Sequence, residues 1–203
     1  MTRIFLIRHG ETEWNAAGKL QGISNVQLSS VGLHQARLLA DHAPFQTADA
    51  IYSSDLVRAQ TTAEILAERF NLDVEIDSDL REVSFGDWEG QSIRSLAEDL
   101  TDGFEKFFTE PDRCRPPHGE TFIAAQARVV NAIDKIIDEN ENRRVIVISH
   151  GAVIRLALCA ALDMPIRNMW SLGQFNMALN VLRVDDGNFT LELLNSTAHL
   201  YHF

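Results

Sequence analysis

Runs of consecutive apolar residues bounded by polar turns fall at residues 3–7 (RIFLI), 50–52 and 145–148 (VIVI). Uninterrupted runs of this length predict strands buried on both faces, the pattern of parallel sheet. Helical spacing lies between them. Leu33, Ala36 and Ala40 follow the candidate caps Ser29 and Ser30, and Leu56, Ala59, Ala63, Leu66 and Phe70 form a second apolar stripe behind Ser53, Ser54 and Asp55. Residues 74–76 read as a weaker strand, 122–137 as a long helix entered from the turn Pro116-Pro117-His118-Gly119, and 151–162 as another helix. Near the C-terminus, residues 178–184 and 189–194 flank Asp185-Asp186-Gly187-Asn188, a hairpin signal that would make the sheet mixed.

One segment breaks the alternation. From residue 91 onward Ile93, Leu96, Leu100, Phe104, Phe107 and Phe108 keep helical spacing, and residues 110–117 are irregular. The expectation is one α/β domain over residues 1–203 with an insertion or lid at about 91–120, whose phenylalanines mostly pack it onto the core while one or two line a pocket.

Composition limits the partners. The 203 residues are 45% hydrophobic and 23% charged, ordinary for a soluble globular chain, and the formal net charge is −11. An acidic balance argues against a nucleic-acid or anionic-membrane surface, and no run is long enough for a membrane span or a signal-peptide core. Two cysteines, Cys114 and Cys159, are too few for a disulfide framework and fit a reducing cytoplasm. A homodimer is a candidate assembly on which the sequence is silent.

The chemistry sits where strands end. Ligands of open α/β sheets lie beyond the carboxyl ends of the strands. One apolar run ends in Arg8-His9-Gly10 and another in Ser149-His150-Gly151, so adjacent parallel strands would bring two imidazoles into one crevice. A third ends in Ser53-Ser54 and leads to a helix whose first turn holds Arg58. The glycines are expected to let the backbone turn sharply and approach a ligand. Two arginines and two histidines suit a phosphate dianion, because guanidinium forks match its oxygens and a helix start adds amide donors. The overall acidity does not forbid this: a unit pair at about 4 Å is worth on the order of 4 kcal/mol at an effective dielectric near 20, whereas charges beyond roughly 8 Å are screened. His34, His42, His199 and His202 lack such placement and read as ordinary core or surface histidines.

The ordered segments LIRHGETEWN (6–15), LQG (20–22), SSDLVRAQTTA (53–63), LREVSFGDWEG (80–90), HGET (118–121) and VISHG (147–151) resemble the histidine phosphatase superfamily, also called phosphoglycerate-mutase-like. The resemblance implies a three-layer α/β/α sandwich with a mostly parallel mixed sheet. It also implies that His9 is the nucleophile, that Arg8, Arg58 and His150 hold the transferring phosphoryl group, and that Glu82 is the acid/base. Asn15, Gln21, Gly22 and Gly151 match further phosphate or substrate contacts. Val83 and Ser84 after Glu82, and the FGDWEG phrase, are similar to the phosphatase branch rather than the mutases, which implies a phosphomonoester hydrolase on a small phosphorylated metabolite. The alternative is a cofactor-dependent phosphoglycerate mutase. A metal site built from His9, His150 and Glu82 is a weaker alternative, since two arginines would repel a dication; a non-catalytic phosphate-binding module is another. No metal or other cofactor is expected. Trp88 and Glu89 are expected to support the Glu82 loop, Phe85 to reach substrate or pack, and Trp170 and Phe175 to lie in the core or on its rim.

Overall fold

The computed structural model describes residues 1–99 and 103–201, so Leu100 and His202 lie outside the described residues. Six strands form one sheet: β1 (Thr2–Arg8), β2 (Ala50–Ser53), β3 (Val74–Ile76), β4 (Arg144–Ser149), β5 (Leu179–Asp185) and β6 (Asn188–Ser196), in the order β3-β2-β4-β1-β5-β6. The β3, β2, β4 and β1 strands run parallel, while β5 is antiparallel to β1 and to β6. The expected mixed sheet and C-terminal hairpin are therefore present.

Alternation along each strand sorts the core into two layers. Ile4, Leu6, Val145 and Val147 face helices α6 (Phe122–Glu139) and α7 (Gly151–Ala161). Phe5, Ile7, Ile146 and Ile148 face α2 (Ser30–His42) and α3 (Val57–Phe70). A strand buried on both sides must be apolar at every position, which is why the runs read continuously rather than alternating. Ser29 and Thr121 cap α2 and α6 by accepting the amides of Gly32 and Ala124.

Among the described residues there are three further short α-helices: α1 (Glu13–Ala16), α4 (Ile93–Glu98) and α5 (Glu105–Thr109). The polar stretch after β1 is thus not only a turn. Thr12 caps α1 with Asn15 bonding back, a reciprocal capping box that a four-residue helix needs because it has so few internal bonds. The phenylalanines of the 91–120 segment divide their work. Phe104 and Phe107 are buried and stacked, with Trp88 edge-on to both, whereas Phe108 is largely exposed. Among the described residues no helix is long and apolar enough to cross a membrane.

Candidate active site

The register of β1 against β4 pairs Arg8 with Ser149, so His9 and His150 leave neighbouring strand ends side by side. Their ring centroids are 5.1 Å apart. Both imidazoles are buried, and burial together with the nearby Arg58 and Arg8 holds each well below the ordinary value of 6.5. His150 is pushed in the same direction by His9 and Arg128 as well. Both rings are neutral at physiological pH.

A neutral imidazole carries one proton, and its position follows from the partners. His9 Nδ1 lies 2.7 Å from the carbonyl oxygen of Gly10, an acceptor, so Nδ1 holds the hydrogen and Nε2 keeps its lone pair. Arg58 Nε donates to that Nε2 at 3.2 Å. The remaining Arg58 nitrogens donate to the carbonyls of Ser24 (2.8 Å) and Gly22 (2.7 Å), which fixes the guanidinium in the plane it needs. His150 Nε2 pairs with Ser54 Oγ at 2.6 Å, and its Nδ1 is buried with no protein partner.

Arg8 donates to the carbonyl of Gln174 at 2.7 Å, and its Nε is also buried without a partner. Burial lowers Arg8 to about 10, with Glu82 opposing and Arg155 and Arg58 adding to the effect. Arg58 is likewise lowered to about 10 by burial, against the pull of Glu82 and Glu89. Both remain cations at neutral pH.

Glu82 sits across the start of α7. Its Oε1 accepts the amides of Val83 (3.0 Å) and Val153 (3.1 Å), and Oε2 accepts that of Ala152 (3.1 Å). These helix-start amides were expected to meet a phosphate, but two of them hold a carboxylate instead, which suits the positive end of a helix equally well. Oε2 keeps a free lone pair.

A cleft of about 160 Å³ collects most of these groups. Arg8, His9, Arg58, Glu82, Asn15, Gln21, Gly22 and Gly151 all line it, and the His150 ring lies 5.1 Å from that of His9. Asn15 spends its carbonyl oxygen on Thr12 and Asn176, leaving its amide nitrogen for the cleft. Phe85, Phe107, Phe108 and Trp170 line it too, so the aromatic residues whose roles stood open belong partly to the site, while Phe175 is exposed.

Two glycines are fixed by close contacts within the protein. A Cβ on Gly10 would lie 2.6 Å from the carbonyl oxygen of Gly32, so the approach of α2 requires glycine there. A Cβ on Gly151 would meet the guanidinium groups of Arg155 and Arg8. Glu89 does support the Glu82 loop, while Trp88 packs against Phe104 and Phe107. Glu89 accepts the amides of Phe85, Ile23 and Ser24 and the Ser24 hydroxyl, tying that loop to the 22–24 segment that orients Arg58.

Sequence reasoning passed over Arg155, Lys19, Ser54, Asn176 and Arg128. Arg155 was findable: it lies four residues after Gly151, one helical turn into α7 and therefore on the same face. The others reach the site through tertiary contacts that no spacing announces. Among the described residues no group of three or more His, Cys, Asp or Glu side chains could hold a metal ion.

Comparison with known proteins agrees with this geometry. The family model for the histidine phosphatase superfamily (branch 1) matches residues 4–197. Phosphoserine phosphatase 1 of Hydrogenobacter thermophilus is 32% identical over 203 residues, covering 100% of this chain and 96% of the relative. The adenosylcobalamin/alpha-ribazole phosphatase of Salmonella typhimurium is 32% identical over 199 residues, covering 97% of each. Among solved structures, Bacillus stearothermophilus YhfR superposes with a TM-score of 0.92 at 31% identity, covering 98% of this chain and all of that one. The chain belongs to branch 1 of the histidine phosphatase superfamily.

Proposed function

We propose that this protein is a metal-independent phosphomonoesterase that works through a phosphohistidine on His9. The observation that carries the reading is the His9 ring itself. It is neutral, its proton is committed to the Gly10 carbonyl, and its free Nε2 is met by Arg58 in a cleft lined with guanidinium groups. Phosphoryl transfer asks mainly for positioning and charge stabilisation, and such a cleft supplies both.

In the proposed sequence the His9 Nε2 lone pair forms a bond to phosphorus as the ester P–O bond breaks. Arg8, Arg58 and His150, through its unpartnered Nδ1, hold the equatorial oxygens. Glu82, through Oε2, gives its proton to the leaving oxygen. Water then attacks phosphorus, Glu82 takes the water proton back, and the N–P electron pair returns to His9. Asn15, Gln21 and the backbone at Gly22 and Gly151 complete the cradle. The α5 segment forms a lid over the cleft, and the two buried, unbridged thiols fit a cytoplasmic enzyme.

Purified protein in chelator should release phosphate from a panel of small monoesters and, after rapid quenching, carry an acid-labile, alkali-stable phosphoryl group. His9→Ala should abolish that label. Activity lost on chelation and regained with a divalent metal would overturn the reading, and an isomerised ester in place of free phosphate would assign the chain to the mutases.

A further inference from the structure

We propose that Ser54 is a positioning residue that fixes the tautomer of His150, its hydroxyl donating to Nε2 so that the ring turns a protonated Nδ1 toward the phosphoryl group. This rests on the phosphatase reading and adds to it the source of a donor beside His9.

Strand register puts the two side chains together. β2 and β4 run parallel with Ser53 beside Ile148, so the residues that follow leave neighbouring strand ends. The Ser54 amide donates to the Ile148 carbonyl at 3.2 Å, and Ser54 Oγ lies 2.6 Å from His150 Nε2. Both residues are fully buried. The His150 carbonyl accepts the Ile154 amide in the first turn of α7, which holds its backbone.

A distance does not say which atom carries the hydrogen, but the surroundings of the hydroxyl do. The Leu56 amide donates to Ser54 Oγ at 3.4 Å, so the start of α3 already uses part of that oxygen's accepting capacity. Among the described residues the hydroxyl meets no acceptor other than His150 Nε2. With the proton on Nε2, the hydroxyl hydrogen would be a buried donor left unsatisfied. With the hydroxyl donating, the one free hydrogen of the pair is that on His150 Nδ1, which is buried with no protein partner.

A second unpartnered donor lies close by. Arg8 Nε is buried in the same way, and it packs against the residue after His150: a methyl group on Gly151 would meet it at 3.4 Å. Two such donors near the His9 ring, whose centroid is 5.1 Å from that of His150, suit an anion, whereas a bare Nδ1 lone pair would repel one. Both rings are neutral and both hold their hydrogen on Nδ1, yet they are used in opposite ways. The Gly10 carbonyl can only accept, so His9 presents the Nε2 lone pair; the Ser54 hydroxyl donates, so His150 presents an N–H.

Nitrogen-15 spectra of histidine-labelled protein, assigned through His9→Ala and His150→Asn, read the tautomer without turnover. His150 of the native protein should be protonated at Nδ1 and bare at Nε2. Ser54→Ala should move it toward the Nε2–H form, leave the His9 tautomer unchanged, and lower kcat by about 10²-fold, the scale for one lost donor at an oxyanion. Because the lost bond is to the phosphoryl group, the fall should be equal for p-nitrophenyl phosphate and an alkyl phosphate. A native His150 protonated at Nε2 overturns the assignment. So does a Ser54→Ala variant that keeps Nδ1–H, whatever its rate, since the hydroxyl then does not set the tautomer. A loss concentrated on the alkyl phosphate also overturns it, by placing the effect on Glu82. If Ser54→Ala fails to fold, the native spectrum alone decides. A His9-dependent phosphoenzyme formed from p-nitrophenyl phosphate tests the underlying reading separately; its absence would overturn that reading and the use made of Nδ1, whatever the tautomer.

Discussion

Arg128, on α6, donates to the carbonyl oxygen of Glu82 at 3.1 Å, gripping by its backbone the residue whose side chain faces the cleft. The same guanidinium donates to the carbonyls of Asp79 (2.7 Å) and Arg81 (2.8 Å), and Glu120 holds it with two bonds of 2.8 Å. One side chain thus fixes three carbonyls of a loop that has no regular ladder of its own. Ser149 helps from the end of β4, its hydroxyl donating to the Leu80 carbonyl at 2.8 Å.

Replacing Arg128 by Met should therefore act through Glu82. Losing charge-assisted bonds to partly buried carbonyls should cost roughly 1–3 kcal/mol of stability. Steady-state kinetics should show kcat falling with KM little changed, and falling most for esters with poor leaving groups, where proton donation matters. An equal fall across leaving groups would detach Arg128 from the acid/base.

Glu89 bears on the other partner of the phosphoryl group. It anchors the Ile23 and Ser24 amides, and the carbonyls of Gly22 and Ser24 orient Arg58 toward His9. Glu89→Ala should loosen that chain, and a displacement of about 1 Å can cost up to about 10²-fold in rate. Rapid-quench measurement should locate the loss in phosphoenzyme formation; a defect confined to phosphoenzyme breakdown would argue against this route.

Gly32 carries a prediction about folding. A Cβ there would lie 2.0 Å from the carbonyl oxygen of Glu11, a collision with backbone that no rotamer change relieves. Gly32→Ala should lower the unfolding midpoint by the equivalent of more than about 1–3 kcal/mol, the range for overpacking. Denaturant titration measures it, and a change within about 0.5 kcal/mol would mean that α2 shifts freely.

The sequence was most legible where one physical rule acted alone. Buried parallel strands such as 145–148 must be apolar throughout, and a histidine after such a run lands at the ligand end of the sheet. Arg8, His9, Arg58 and His150 followed from that, and Glu82 entered only through family resemblance, because nothing in LREVS marks a loop residue as facing a helix start. Arg128 and Ser54 were illegible for a related reason: each acts by hydrogen bonding on residues distant in sequence. At Gly10 glycine signalled close approach without saying what approaches, and the Gly32 backbone is one such neighbour.

The buried rings of His9 and His150 set an acid limit on stability. Burial, then the arginines, depress both below the ordinary 6.5, so the folded protein keeps them neutral at pH values where the unfolded chain has begun to protonate them. Below about 6.5 the unfolded state therefore binds more protons, and stability falls with falling pH by at most about 1.4 kcal/mol per unit for each histidine; above 6.5 the term is constant. Urea midpoints between about pH 5 and 8 should show this slope, and His150→Asn should flatten it relative to the native protein after allowing for its lower plateau. Imidazole resonances offer a direct check, with those of His9 and His150 unchanged from about pH 8 to 6. Titration of either buried ring near 6.5 would remove both the stability limit and the neutral nucleophile on which phosphoryl transfer by His9 depends.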